Sequence, residues 1–260
     1  MGEITKRGRS VKGGLIFVVG NARKIAIFAD GADLAGMKAM YANPGISGFT
    51  TNPTLMRKAG ITDYKTFALE VLRVIPDRPV SFEVFADEPA PMEVQAREIA
   101  TWGTNVNVKI PVSNTQGVYC GPLIRRLSAD GIQLNVTAVF SPEQVRQIVE
   151  DLAPQTPAIV SVFAGRIADT GRDPIPYMKQ YREMLMTRPQ AKLLWASPRE
   201  VLNVIHAEEA GCHIITATND ILAKLGLFGK DLAGYSLETV QMFHRDAAAA
   251  GYSIVSSGAK

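Results

Sequence analysis

The sequence predicts an α/β fold, a closed (β/α)8 TIM barrel with extra C-terminal helices. The chain has 260 residues, of which 47% are hydrophobic, and this is enough to bury one large core. Short β-rich runs alternate with amphipathic helical segments, which is typical of right-handed βαβ units in a parallel sheet. Eight such runs in roughly 200 residues match the eight units of a barrel. A doubly wound sheet is the rival, but no GxGxxG motif opens a helix.

The eight predicted strands each end in a polar or turn residue. They cover residues 24–30, 48–52, 80–87, 105–111, 132–138, 158–165, 192–197 and 213–218. Predicted helices between them include residues 63–74, 91–102, 141–152, 175–186 and 198–210. Ser141-Pro-Glu-Gln144 is a helix start with a hydroxyl N-cap, and Ser197-Pro-Arg-Glu200 has the same form. Two further helices are predicted at residues 219–227 and 236–249.

Charge is concentrated at the N-terminus rather than on the folded body. The net charge is +3 at pH 7, and residues 1–23 carry five basic side chains and one acidic one, a net of +4, so the remaining residues sum to −1. We therefore expect no nucleic-acid-binding face on the folded body. Residues 1–23 are predicted to form a basic, mobile arm, and residues 24–260 a single barrel domain without an internal linker.

The two cysteines and the apolar runs bear on the compartment. Neither Cys120 nor Cys212 lies in a CxxC or metal-ligand spacing, so a reducing compartment is the simpler interpretation. The longest early apolar run, residues 15–19, has five residues, whereas a membrane span needs about 20 and a signal segment at least about 7. The sequence therefore predicts a soluble cytoplasmic protein that does not enter a membrane.

Alternation within the strands predicts a polar group of side chains inside the barrel. Within residues 105–111, Val106, Val108 and Ile110 share one face and Lys109 lies on the other. The apolar face packs on the outer helices, so Lys109 points inward near the C-terminal mouth. The same split in other strands adds more inward polar side chains, and the full set is Asp30, Glu83, Lys109, Asn135, Thr137 and Ser161.

A single strand lysine is usually a solvated edge residue, and each of the other residues, taken alone, has a fair explanation as a turn former or a partner for main-chain groups of a loop. Five strands are unlikely to carry the same kind of inward polar side chain by chance, so the pattern favours a shared role for these residues. Polar groups in a barrel interior are costly unless they bond to one another or to a polar ligand. The pattern therefore indicates a site at the mouth of the barrel.

Seven short motifs resemble the transaldolase / fructose-6-phosphate aldolase family, in its small-subunit branch. They occur in family order within residues 24–218 and are Phe28-Ala-Asp30, Gly48-Phe-Thr-Thr-Asn-Pro-Thr54, Ser81-Phe-Glu-Val84, Asn107-Val-Lys-Ile-Pro111, Leu134-Asn-Val-Thr-Ala138, Ser161-Val-Phe-Ala-Gly-Arg166 and Ala196-Ser-Pro-Arg199. Each alone is weak, but seven in order at barrel spacing are specific. The resemblance implies a class I aldolase barrel whose Schiff-base lysine lies on the fourth strand, where Lys109 stands.

The resemblance also implies a role for each matching residue. Lys109 would be the nucleophile toward the C2 carbonyl of a ketose, and Asp30 would move the C4 hydroxyl proton when the C3–C4 bond breaks or forms. Glu83 with Thr137 would hold the water that shuttles protons. The remaining positions would bind the substrate, with Asn52, Asn135 and Ser161 at its hydroxyls and Arg166, Ser197 and Arg199 at its phosphate.

The chemistry asks for the same residue types independently of the family. A lysine attacks a carbonyl only as the free amine, which an apolar-walled interior favours by desolvation. The iminium is then the electron sink for the three-carbon fragment, so no metal or other cofactor is expected. Two carboxylates provide separate proton tasks, each typically worth about 10²–10⁴-fold. Two guanidiniums suit a phosphate dianion, as does the helix N-terminus expected at Ser197.

Two positions bear on the reaction type. The resemblance implies glutamine at the position of Glu83 and tyrosine at that of Phe163 in the aldolase branch, whereas glutamate and phenylalanine are the transaldolase pair. A phenol could activate water to release the dihydroxyacetone unit, and an apolar ring cannot. We therefore expect transfer. The alternatives are a fructose-6-phosphate-type aldolase that releases free dihydroxyacetone and a non-catalytic barrel that binds a sugar phosphate.

Some residues depart from the usual small-branch pattern, namely residues 216–222, Arg172, Tyr177 and Trp195. The substrate could therefore be a modified sugar phosphate rather than the pentose-pathway pair.

The branch commonly assembles into pentamers or decamers with exchanged C-terminal helices. The resemblance therefore implies a homo-oligomer in which residues 236–249 join neighbouring chains.

Overall fold

The computed structural model describes residues 24–254, so the predicted arm at residues 1–23 lies outside the described residues. Eight parallel strands close into a barrel in sequence order, and the last strand pairs with the first. The strands are Ala26–Asp30 (β1), Ile46–Thr50 (β2), Val80–Glu83 (β3), Val106–Pro111 (β4), Leu134–Val139 (β5), Ala158–Val162 (β6), Ala191–Trp195 (β7) and Ile214–Thr218 (β8). The predicted barrel fold is confirmed.

Helices lie between the strands and after the last one. They are Leu34–Tyr41 (α1), Pro53–Lys58 (α2), Tyr64–Val74 (α3), Pro89–Ala100 (α4), Gly121–Ala129 (α5), Pro142–Asp151 (α6), Ala164–Asp169 (α7), Pro174–Met184 (α8), Asn203–Glu209 (α9), Asn219–Leu222 (α10) and Leu232–Ala250 (α11). Short 3₁₀ helices cover Leu185–Thr187 and Ala223–Leu227. Among the described residues, no helix is both long enough and apolar enough to cross a bilayer.

The helix start predicted at Ser141 forms as a capping box. Ser141 Oγ accepts from the Gln144 N–H at 3.3 Å, and Gln144 Oε1 accepts from the Ser141 N–H at 3.0 Å. Two donors that the first turn leaves free are thereby satisfied, a contribution of about 1 kcal/mol. The α6 helix therefore begins at Pro142 as the local pattern predicts.

The same prediction at Ser197 is wrong, because α9 begins at Asn203 instead. Ser197 has a φ of 56°, in the left-handed region, so it cannot serve as the extended N-cap of a helix. The Asn203 side-chain oxygen accepts from the N–H groups of Arg199 at 2.7 Å and Glu200 at 3.2 Å, which folds this segment into turns. The helix dipole expected beside Ser197 is therefore not available there.

Apolar side chains fill the barrel interior beneath the polar tips of the strands. They form one buried cluster made of Phe28, Ile159, Leu194, Ala196 and Ile214. Alternation along β1 and β6 puts Phe28 on the face of Asp30, and Ile159 on the face of Ser161. The polar residues at the strand ends thus share the inner faces with buried apolar side chains that lie earlier on the same strands.

The chain divides into two compact units, and the closed barrel belongs to the unit that ends at Leu225. The second unit begins at Gly226 and contains α11, which starts at the N-cap Asp231 and ends at Gly251. Gly251 has a φ of 66°, which only glycine adopts without strain at a helix end. The assignment of residues 24–260 to a single domain stays a prediction.

Candidate active site

A cavity of about 490 Å³ opens where the barrel strands end. All eleven residues selected from the sequence line it, namely Asp30, Asn52, Glu83, Lys109, Asn135, Thr137, Ser161, Phe163, Arg166, Ser197 and Arg199. The carboxyl ends of parallel strands meet at one rim, so residues distant in sequence converge there. Their convergence is a structural observation, and their roles stay predictions.

Lys109 lies on β4 with its amine turned into the cavity. Its side chain is only 8% exposed, and Nζ lies 2.9 Å from Oε2 of Glu83. Nζ also donates to the main-chain oxygen of Thr51 at 2.7 Å. Lys109 and Glu83 are register partners across β3 and β4, so the strand pairing itself puts the two side chains next to each other on the inner face.

Asp30 ends β1 and holds a second, separate carboxylate at the rim. It accepts from Thr50 Oγ1 at 2.8 Å and from Asn52 Nδ2 at 3.3 Å. Burial raises the pKa of the Asp30 carboxyl above its ordinary value, although Lys109 and the two hydrogen bonds act in the opposite direction. The carboxyl is therefore easier to protonate than a solvated aspartate, which suits a group that accepts and returns a proton.

Asn52 is fixed on both sides of its amide. Its Oδ1 caps α2 by accepting from the Leu55 N–H at 3.0 Å, while its Nδ2 faces Asp30. Because the cap fixes which end of the amide is the oxygen, the NH₂ group must point toward the carboxylate.

A buried chain of polar groups crosses the inner faces of β3, β5 and β6. Asn135 Nδ2 donates to Ser81 Oγ at 3.0 Å, and Ser161 Oγ donates to Asn135 Oδ1 at 2.6 Å. All three residues are buried, and Thr137 lies two residues further along β5 at the cavity wall. The chain holds the amide of Asn135 in one orientation.

The basic end of the cavity lies at the ends of β6 and β7. The guanidinium carbon of Arg166 lies 5.3 Å from the centre of the Phe163 ring, which itself packs against Phe140 at 5.7 Å. Arg199 binds Asp169 through two nitrogens, one of them Nε at 2.8 Å, and this contact lowers the pKa of the Asp169 carboxyl. One of the two expected phosphate ligands is therefore already paired with a carboxylate.

Ser197 approaches this end through an unusually close main-chain contact. A Cβ atom added to Gly165 would lie 1.6 Å from the Ser197 carbonyl oxygen. Only glycine at position 165 permits this approach. The contact holds the left-handed turn at Ser197 against the residue that precedes Arg166.

Sequence reasoning missed three threonines in the cavity wall, Thr50, Thr54 and Thr216, and two of them bond to each other. The hydroxyl oxygens of Thr50 and Thr216 are 2.6 Å apart, and because Thr50 gives its hydrogen to Asp30, Thr216 donates to Thr50. Strand alternation could have found Thr216, because it lies on the same face of β8 as Ile214, which belongs to the buried cluster. Of the residues noted as departures, Arg172, Tyr177 and Trp195 do not line this cavity.

Within residues 24–254, no group of three or more His, Cys, Asp or Glu side chains could hold a metal ion. The expectation that the reaction needs no metal or cofactor stays a prediction. What the site does contain is a buried amine in contact with one carboxylate, a second carboxylate of raised pKa, and a basic end. This set suits covalent amine chemistry on an anionic carbonyl compound.

A family model and the sequences of related proteins point to the same family. The model of the family described as Transaldolase/Fructose-6-phosphate aldolase matches residues 27–254. A probable transaldolase of Dehalococcoides mccartyi is 36% identical over 203 residues, covering 76% of this chain and 89% of the relative. A probable transaldolase of Streptococcus pyogenes is 33% identical over 199 residues, covering 76% and 88%.

Solved structures resemble the chain in fold alone. KGPDC from Streptococcus mutans has a TM-score of 0.54 at 12% identity, covering 78% of this chain and 96% of that one. A monomeric dihydrodipicolinate synthase variant has a TM-score of 0.55 at 13% identity, covering 86% and 79%. The family match and the sequence relatives together identify the chain, which belongs to the transaldolase/fructose-6-phosphate aldolase family.

Proposed function

We propose that this chain is a transaldolase that moves a dihydroxyacetone unit between sugar phosphates through a Schiff base on Lys109. The observation that carries the proposal is the position of the Lys109 amine, which is buried in the cavity 2.9 Å from the Glu83 carboxylate. An amine held there is shielded from bulk water and has a proton acceptor within hydrogen-bond reach.

The first half of the reaction forms the imine. Lys109 gives a proton to Glu83, and its free amine attacks the C2 carbonyl carbon of the ketose. The attacking nitrogen passes one of its protons to the new alkoxide, which gives the carbinolamine. Glu83 then returns its proton through a water held with Thr137, and the hydroxyl leaves as water. The product is an iminium on Nζ, and the proton balance of Glu83 is restored.

The second half breaks the C3–C4 bond. Asp30 takes the proton of the C4 hydroxyl, the C4–O bond becomes a carbonyl, and the electrons of the C3–C4 bond move into the iminium to give an enamine. The aldehyde leaves, and an acceptor aldehyde enters and reverses the step with Asp30 returning the proton. Hydrolysis of the new iminium releases the product ketose and the free amine.

The residues at the basic end support phosphorylated substrates. Arg166 and Arg199 line the same cavity as Lys109, and guanidinium groups match phosphate oxygens. Phe163 supports transfer over cleavage, because an apolar ring at this wall cannot activate water against the enamine. The intermediate then waits for an acceptor.

We further propose a cytoplasmic homo-oligomer, with no role in binding nucleic acid or membranes. Cys120 and Cys212 are both free and buried, which supports a reducing compartment. Several large apolar side chains of α11 are exposed in the single chain, among them Leu232, Val240 and Phe243. An apolar helix face of this kind supports contact with a second copy.

Product analysis with fructose 6-phosphate tests the reaction type. Transfer predicts a new ketose phosphate only when an aldose phosphate acceptor is present. Free dihydroxyacetone formed at a comparable rate without acceptor would favour the aldolase. No turnover, together with heat protection by fructose 6-phosphate that Lys109→Met retains in full, would favour a barrel that only binds sugar phosphates.

A further inference from the structure

The phenol of Tyr64 makes two hydrogen bonds to the main chain of Glu83. Tyr64 is the first residue of α3, and its Oη accepts from the Glu83 N–H at 2.7 Å and donates to the Glu83 carbonyl oxygen at 3.0 Å. A single side chain thus holds both main-chain groups of a residue whose carboxylate contacts Lys109.

The phenol occupies the place of a missing strand. β2 pairs with β3 only through Phe49 with Val80 and Thr50 with Ser81, and it then ends. Val84 N–H donates across to Lys109, and neighbouring residues of a strand direct their main-chain groups to opposite sides, so Glu83 directs its groups toward β2. Without Tyr64, these two groups would lose the partners that main-chain groups require when buried.

The ring of Tyr64 is itself held in an aromatic cluster. Its centroid lies 6.1 Å from that of Phe82, 4.5 Å from that of Phe85 and 5.4 Å from that of Trp102. Burial also raises the pKa of the Tyr64 phenol, so the hydroxyl stays protonated and can donate and accept together. The end of β3 is therefore fixed by a rigid group.

We propose that Tyr64 is a positioning residue that sets where the Glu83 carboxylate meets the Lys109 amine. The inference rests on the proposed function, in which Glu83 moves protons during imine formation. Tyr64 does not line the cavity that holds the Lys109 amine, and it acts through the main chain of Glu83. A displacement of about 1 Å at such a group costs up to about 10²-fold in rate.

The test compares Tyr64→Phe with Tyr181→Phe in single-turnover formation of the borohydride-trapped adduct with fructose 6-phosphate. Tyr181 is a matched control, since it is fully buried and its hydroxyl donates to a main-chain oxygen, that of Phe140, at 2.8 Å. We expect Tyr64→Phe to slow adduct formation by about tenfold or more, with a shifted pH profile, and Tyr181→Phe to leave both unchanged.

A double-mutant cycle separates positioning from a general loss of structure. If Tyr64 acts through the Glu83 carboxylate, Tyr64→Phe adds no further slowing in a Glu83→Gln background. A wild-type rate in Tyr64→Phe, or equal slowing in both backgrounds, would overturn the inference. Absence of any adduct in the wild-type protein would instead overturn the proposed function itself.

A second variant covers the case in which Tyr64→Phe does not fold. Replacement of Tyr64 by para-aminophenylalanine keeps the ring and a donor to the Glu83 carbonyl but supplies a poorer acceptor. We expect an adduct rate between those of the wild type and Glu83→Gln. A rate equal to that of the wild type, at equal thermal stability, would count against positioning by Tyr64.

Discussion

Glu83 and Lys109 face each other as register partners on β3 and β4, with 2.9 Å between Oε2 and Nζ. The contact is an ion pair between two largely buried side chains, and in the proposed mechanism the proton that frees the amine crosses the same 2.9 Å gap. Such a pair is weak evidence for stability, because both charges lose their hydration. The pair joins the inner faces of β3 and β4 at the cavity, and this position suits a role in proton transfer better than a role in stability.

Removing one member of this pair should destabilise the protein more than removing both. Lys109→Met leaves the Glu83 carboxylate without its cation. Breaking a buried pair costs about 3–5 kcal/mol, and because Glu83 is 17% exposed at the cavity we expect a smaller loss, about 2 kcal/mol. Denaturant unfolding should show most of this recovered in Lys109→Met/Glu83→Gln. A double variant as unstable as the single one would contradict the ion-pair interpretation.

Asp30→Asn should separate imine formation from carbon–carbon cleavage. Imine formation is assigned to Lys109 and Glu83, so trapping with borohydride should continue. Exchange between sugar phosphates should fall by about 10²–10⁴-fold, the usual contribution of a positioned acid–base group. Loss of trapping in Asp30→Asn, in a variant that still folds, would remove this division of labour.

The same substitution has a predicted pH signature in stability. The pKa of Asp30 is raised in the folded state, so the folded protein binds the proton more tightly, and stability falls as pH rises from the unfolded value of 3.8 through the folded pKa. Asp30→Asn should therefore gain stability over the wild type across that window, by about 1.4 kcal/mol for each pH unit that the window spans.

Asp63→Asn is the control of opposite sign. Hydrogen bonds from Thr66 lower the pKa of Asp63, so its contribution is present above the unfolded value of 3.8 and is lost as pH falls through the folded pKa. Thermal unfolding across pH should give opposite trends for the two variants. Parallel trends would contradict the assignment of Asp30 as a carboxyl of raised pKa.

Arg166 should matter more than Arg199 for phosphorylated substrates. Arg199 is already bound to Asp169 through two nitrogens, whereas the guanidinium of Arg166 lies over the Phe163 ring. We expect Arg166→Ala to raise KM for fructose 6-phosphate by about 10–100-fold, as hydrogen bonds to charged groups suggest, and Arg199→Ala to raise it less.

The control for this comparison is a donor without phosphate. KM for fructose should be unchanged in both variants, as should KM for fructose 6-phosphate in Arg172→Ala, whose side chain binds Thr170 outside the cavity. Equal increases for both donors would place the two arginines in folding rather than in phosphate binding.

Gly165→Ala should disrupt the basic end of the cavity. The added Cβ would lie 1.6 Å from the main-chain oxygen of Ser197, and a main-chain atom cannot move aside as a flexible side chain can. We expect a loss of about 3 kcal/mol in stability. Gly31→Ala, whose Cβ meets nothing within 4 Å, should unfold like the wild type. Equal stability of the two variants would contradict the close contact.

The barrel and the inward polar residues were predictable because both rest on local patterns. Period-two alternation in β4 decides that Lys109 faces inward, and parallel strands bring such tips to one rim whatever the loops do. Thr216 follows the same rule in β8 and could have been found by applying it there.

Contacts between distant segments were not predictable. Ser141 and Ser197 carry the same local helix-start pattern, yet only Ser141 caps a helix. The turn at Ser197 packs against Gly165, a residue that is distant in sequence, so the residues around Ser197 give no sign of the contact. The pairing of Arg199 with Asp169, 30 residues away, is invisible for the same reason. Tertiary contacts outweigh the local helix preference of the segment that contains Ser197 and Arg199.

The most direct test is the identity of the residue that carries the covalent intermediate. Incubation with fructose 6-phosphate and borohydride, followed by peptide mapping by mass spectrometry, should find a reduced three-carbon or ketose adduct on Lys109, and none in Lys109→Met. An adduct on a different lysine, or an unmodified protein that nevertheless turns over substrate, would contradict the account.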